Sequence, residues 1–127
     1  MNLKDKITEY PNFPKKGILF RDFSPILKDP SSLSYIAEEF SKHFHPKDVD
    51  VFAGIESRGF LLATILALKY NKGMIMIRKA GKLPGKTAKL IEKVGGKITG
   101  FAFIIELTDL NGIKGISKYN CKSLVKY

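Results

Sequence analysis

The chain has 127 residues, a length that suits one domain. Apolar residues make up 44%, which excludes a disordered chain, and a net charge of +10 favours phosphorylated or polyanionic ligands. Membrane spanning is excluded by the short apolar runs. Zinc-finger spacing and the interleaved aromatic and basic residues of a single-strand binder are both missing, so a nucleic-acid partner is not expected.

Taken in chain order, Met1 to Tyr10 reads as a short helix, with nothing resembling an export signal, and the single Cys121 cannot form an internal disulfide. A cytoplasmic location is the expectation. Two prolines and a glycine break regularity over Pro11 to Gly17. Ile18-Leu19-Phe20 is a short extended piece ended by Arg21-Asp22. Asp29-Pro30 is a helix start, with Asp29 as N-cap and proline in the first turn. From Pro30 to Phe44, Leu33, Ile36, Ala37, Phe40 and Phe44 recur at helical spacing and predict one apolar face. His43 and His45 stand two apart and so do not share a helix face. They read as surface or packing residues rather than metal ligands.

The stretch Val49 to Arg58 is the centre of the chain. An apolar run reaches Ala53-Gly54, a polar turn follows at Glu56-Ser57-Arg58-Gly59, and a second apolar run begins at Phe60. This predicts a buried strand, a tight turn and a helix to Tyr70, the opening of a βαβ unit. Asn71-Lys72-Gly73 is a helix stop, and Met74 to Ile77 is a strand apolar on both faces, as parallel sheets require. Arg78-Lys79 ends it. A basic loop with Gly81, Lys82 and Pro84 comes next, then a short helix over Thr87 to Val94 closed by Gly95-Gly96. Ile98 to Leu107 is a long apolar strand, and Ser123 to Val125 a last short one.

Polar groups gather at three strand ends: Phe20-Arg21-Asp22, Glu56 to Gly59, and Arg78-Lys79 with Lys82. Ligands of open α/β sheets sit at the carboxyl ends of strands, where a helix N-terminus offers unpaired N–H groups to an anion. If the strands are parallel, Arg58, Arg78, Lys79 and Lys82 surround one site suited to a pyrophosphate or sugar phosphate. The alternative is that the arginine caps the sheet and the lysines are solvated. The chain shows no Gly-rich Walker loop and no Ser-His-Asp order. Cys121 has no motif around it, and Ser57 lacks the flanking glycines of a nucleophile elbow.

Several motifs, in order and over nearly the whole chain, resemble the adenine phosphoribosyltransferases. They are Pro11-x-Phe13-Pro14-x-x-Gly17 through Phe20-Arg21-Asp22-x-Ser24-Pro25 to Asp29-Pro30, then Ala53-Gly54-Ile55-Glu56-Ser57-Arg58-Gly59-Phe60, then Ile77-Arg78-Lys79-x-Gly81-Lys82-Leu83-Pro84, and finally Glu106-Leu107-Thr108 and Ser123-Leu124-Val125-x-Tyr127. The resemblance implies a single α/β domain with a parallel sheet, with 1–30 as an adenine-side hood and linker and 31–127 as core. It implies transfer of ribose 5-phosphate from phosphoribosyl pyrophosphate to adenine, giving AMP and pyrophosphate, by a cytoplasmic homodimer using Mg²⁺ bound with the substrate. Phe20 would stack on adenine, the backbone of Leu19 and Arg21 would read its edge, and Leu107 would pack on the other side. Glu56, Ser57, Arg58, Gly59, Arg78, Lys79 and Lys82 would hold pyrophosphate, Arg58 acting in catalysis, and no protein group would be a resident metal ligand.

The chain departs from the family at one place. The family's ribose-phosphate segment, a strand ending in two adjacent acids followed by Ala-Thr-Gly-Gly-Thr, is missing near Thr87-Ala88. The only adjacent acids, Glu38-Glu39, lie in the helix from Pro30. If this loss removes a central strand, the neighbouring strands are expected to expose apolar side chains. An inactive form that keeps the dimer surface and partial ligand binding is the alternative reading.

Overall fold

The computed structural model describes residues 1–55, 57–78, 84–106 and 112–127, and within these leaves undescribed the side chains of 84–86 and 112–113. The chain divides into two compact units, Met1–Glu38 and Glu39–Tyr127.

The N-terminal unit does not open with the expected helix. Leu3–Lys6 forms one 3-10 turn, capped where Asn2 Oδ1 accepts from the Lys4 N–H, and Thr8–Pro11 is a strand, β1. Its partner is β2, Leu19–Asp22, which runs antiparallel with Thr8 opposite Asp22 and Pro11 opposite Leu19. The paired residues lie 8 to 14 positions downstream, so no local pattern in Met1 to Tyr10 could reveal them. Arg21 and Asp22 belong to the strand rather than ending it. Asp22 then turns the chain into helix α1, Ser24–Leu27: its Oδ1 accepts from the Ser24 N–H at 2.9 Å and the Ser24 hydroxyl at 2.6 Å. Leu3, Ile7, Phe23 and Ile26 are buried.

Helix α2, Pro30–His43, begins as expected at Asp29. One Asp29 oxygen accepts from the Ser31 N–H at 3.2 Å, and the other accepts from the Ser32 hydroxyl at 2.6 Å and from Lys6 Nζ at 2.8 Å. The Lys6 hydrogen bond is the main reason that the Asp29 carboxyl is held down at about 2.

In the second unit, strand β3, Val51–Ile55, leads into helix α3, Arg58–Tyr70. The helix starts two residues before the apolar run. Backbone packs on backbone here: a Cβ on Gly54 would stand 2.5 Å from the Gly59 carbonyl oxygen. That close approach draws Arg58 and Gly59 into the first turn. Asn71, in the left-handed region at φ 53°, ends α3 as expected, with the Lys72 N–H donating back to the Ala67 carbonyl. Strand β4, Gly73–Ile77, pairs parallel with β3.

Helix α4, Pro84–Lys93, starts three residues earlier than expected and ends at Gly95, whose φ of +92° suits only glycine well. Strand β5, Phe101–Glu106, pairs parallel with β6, Cys121–Lys126. Both differ from their sequence limits, β5 being shorter and β6 longer.

Among the described residues, β3–β4 and β5–β6 form separate two-stranded ladders. The strands are therefore not buried on both faces, contrary to the expectation from the apolar run Met74 to Ile77, although exposed apolar side chains are what loss of a central strand was expected to leave. Ile75 and Met76 are 49% and 59% exposed, and no residue of β5 is fully buried. Two strands cannot cover their own faces, and α3 is the helix that packs on β3 and β4. Burial concentrates instead at Phe40, Leu62, Ala63, Leu66, Ala67, Ile116 and Val125. Among the described residues, no helix is long and apolar enough to cross a membrane.

Candidate active site

The ends of β3 and β4 lie together. Parallel register sets Ile55 opposite Ile77, so the polar positions that follow each strand leave the ladder at one edge. On the β3 side these are Ser57, at the N-cap of α3, and Arg58 and Gly59 in its first turn. On the β4 side it is Arg78. Ser57 places no side-chain hydrogen bond on the helix end, and Ser57, Arg58 and Arg78 are exposed. The first-turn N–H groups and the partial positive charge of the helix end favour an anion at this edge, and two guanidinium side chains at neighbouring strand ends strengthen the preference. Glu56, Lys79 and Lys82 lie outside the described residues, as does Leu107.

The N-terminal unit carries the other predicted group. Leu19, Phe20 and Arg21 are consecutive on β2. Pro11, opposite Leu19, has no N–H to donate, so that position cannot be a doubly hydrogen-bonded pair. The alternation of an antiparallel ladder gives Arg21 the same status. The main-chain groups of Leu19 and Arg21 therefore aim at the outer edge of β2. Phe20 is half-buried, and its ring meets that of Phe13 edge to face, with centroids 5.4 Å apart and planes at 74°. Phe13 was not among the predicted site residues. The available signal was an aromatic residue on each side of a Pro/Gly turn.

His43 and Cys121 have structural surroundings. His43 Nε2 lies 2.6 Å from Asn120 Oδ1 and its ring stands against Phe44, whereas His45 is exposed. Burial pushes the Cys121 thiol up from its ordinary value, and the charge of Glu106 adds to the shift, which suits an inert thiol. Glu106, at the end of β5, accepts from the Ser123 hydroxyl at 2.7 Å. Among the described residues, no three His, Cys, Asp or Glu side chains group to hold a metal ion.

A parallel βαβ unit with a helix N-terminus and arginines at one strand-end edge defines an α/β protein whose strand-end edge suits an anion. No protein-family profile matches the chain. It is 64% identical over 170 aligned positions to adenine phosphoribosyltransferase of Nitrosopumilus maritimus, with 100% of both chains covered. Among solved structures, adenine phosphoribosyltransferase of Thermoanaerobacter pseudethanolicus superposes with a TM-score of 0.85 at 31% identity, covering 98% of each chain. The Saccharomyces cerevisiae enzyme, solved with adenine and an iminoaltritol bisphosphate, gives 0.80 at 28% identity over 96% of this chain and 95% of that one. The chain belongs to the adenine phosphoribosyltransferase family. Because the first comparison runs through both chains completely, the positions by which 170 exceeds the 127 residues here fall inside the chain.

Proposed function

We propose that the protein transfers ribose 5-phosphate from phosphoribosyl pyrophosphate to adenine, a purine-salvage reaction giving AMP and pyrophosphate. Adenine N9 forms the bond to ribose C1′ as the bond from C1′ to the pyrophosphate oxygen breaks, and the N9 proton is released to solvent. Positive charge develops on the ribose and negative charge on the leaving group, so fixed cationic donors around the pyrophosphate lower the barrier. Arg58 is assigned that catalytic role. Ser57 and Gly59, through the first-turn N–H groups, and Arg78 hold the leaving group with it, joined by Glu56, Lys79 and Lys82. Phe20 stacks on the base, Leu19 and Arg21 read its edge through their main chain, and Leu107 covers the opposite face. The observation that carries this reading is the parallel register of β3 and β4, which brings the Arg58 helix start and Arg78 to one edge.

Mg²⁺ would enter bound with phosphoribosyl pyrophosphate and would offset the charge that develops on the leaving group. A homodimer acting in the cytoplasm, with 1–30 as the adenine-side hood, completes the proposal.

The alternative reading is an inactive form, and it starts from the sequence. The positions missing relative to the Nitrosopumilus protein are internal, and the sequence holds no adjacent acid pair outside α2 and no Thr-Gly-Gly-Thr. On this reading the chain binds adenine and pyrophosphate but does not turn over. AMP formation, measured on protein of verified 14.2 kDa mass with adenine, phosphoribosyl pyrophosphate and Mg²⁺, separates the two. Turnover abolished by Arg58→Ala supports the enzyme. Absence of turnover with adenine binding retained supports the second reading, and failure to bind either ligand refutes both.

A further inference from the structure

Phe13 is a large aromatic side chain that is 54% exposed, yet its backbone is held from several sides. Asn12, before it, sits in the left-handed region at φ 57°, and its Oδ1 accepts from the Gly17 N–H at 2.9 Å. The Phe13 N–H donates to the Ile18 carbonyl at 3.0 Å, and the Ile18 N–H donates to Lys15 O at 3.2 Å. These bonds close the segment between β1 and β2 into a clasp. An exposed ring on a clasped backbone adds little buried area to folding, so the neighbouring ring that it meets is its main contribution.

The contact that it makes is with Phe20, and the perpendicular geometry is the favoured arrangement for two aromatic rings. We propose that Phe13 is a positioning residue for the purine: it fixes the plane of Phe20 before a base arrives. This rests on the reading of Phe20 as the stacking residue. Without Phe13 the Phe20 ring samples more orientations, and binding must then pay the entropy of ordering it. The consequence is confined to base recognition, because both residues lie on the β1–β2 hairpin and its turn.

The test is calorimetric titration of the full chain with adenine, and separately with pyrophosphate, for the parent protein, Phe13→Leu and Phe13→Tyr. The expected result is a loss of roughly two- to ten-fold in adenine affinity for Phe13→Leu. Pyrophosphate affinity and the thermal unfolding midpoint stay at the parent values, and Phe13→Tyr, which keeps an aromatic edge, binds adenine as the parent does. Parental adenine affinity in Phe13→Leu overturns the proposal. So does a variant that loses both ligands together with thermal stability, because that marks a folding role. A parent protein that binds pyrophosphate but no adenine removes the stacking role of Phe20 itself, and the proposal with it.

Discussion

Replacing Gly54 by alanine tests the strand-to-helix junction on which the proposed pyrophosphate edge depends. The added Cβ would stand 2.5 Å from the Gly59 carbonyl oxygen, 2.8 Å from the Gly59 carbonyl carbon and 2.9 Å from Phe60 Cα. All three are backbone atoms, so no side chain can swing aside, and relief requires α3 to move away from β3 by roughly an ångström against contact distances of about 3.5 Å. Overpacking of this kind costs about 1–3 kcal/mol, and rigid backbone neighbours place Gly54→Ala at about 3 kcal/mol. Gly59→Ala is the matched control. Its Cβ would meet the Gly54 carbonyl carbon at 3.4 Å, at the edge of ordinary contact, and in the first turn of α3 the preference for alanine over glycine is weaker than in a helix interior. That variant should stay within about 0.5 kcal/mol of the parent. Urea unfolding followed by far-ultraviolet circular dichroism reads both. A Gly54→Ala protein as stable as the parent, or a Gly59→Ala protein destabilised as much as Gly54→Ala, refutes the account of this junction.

Two further perturbations probe the core and the α2 cap. Phe40 is 1% exposed, and Phe40→Ala should destabilise the protein by about 3–5 kcal/mol in the same urea assay; a loss under about 1 kcal/mol would show that the site is not packed as described. Asp29 has a carboxyl held at about 2, below its ordinary 3.8, so its contribution is present above the ordinary value and is lost as pH falls through about 2. The unfolding temperature of the parent should therefore fall more steeply between about pH 4 and pH 2 than that of Lys6→Met, which lacks the principal hydrogen bond. Parallel profiles would show that Lys6 does not hold the carboxylate.

What the sequence determined by itself was whatever short-range chemistry specifies. The i, i+3, i+4 spacing of Leu33, Ile36, Ala37 and Phe40 and the Asp29 cap specify α2, because capping and helical periodicity act within one or two turns. The apolar run to Gly54 and the polar turn after it specify β3 and a helix following it, and they place Ser57, Arg58 and Gly59 at the junction. Tertiary structure decided the rest. Residues 8–11 are a strand because β2 pairs with them, a non-local fact that their own composition hides. The first turn of α3 takes in Arg58 because Gly59 packs on Gly54, and neither glycine announces the other in sequence. Phe13 reaches Phe20 only once the hairpin closes. Apolar composition marks β4 and β5 as strands, but their exposure depends on how many neighbours pair beside them and which helices cover them. Hydrophobicity states a preference for burial, and the partners that meet it are set by packing between distant parts of the chain.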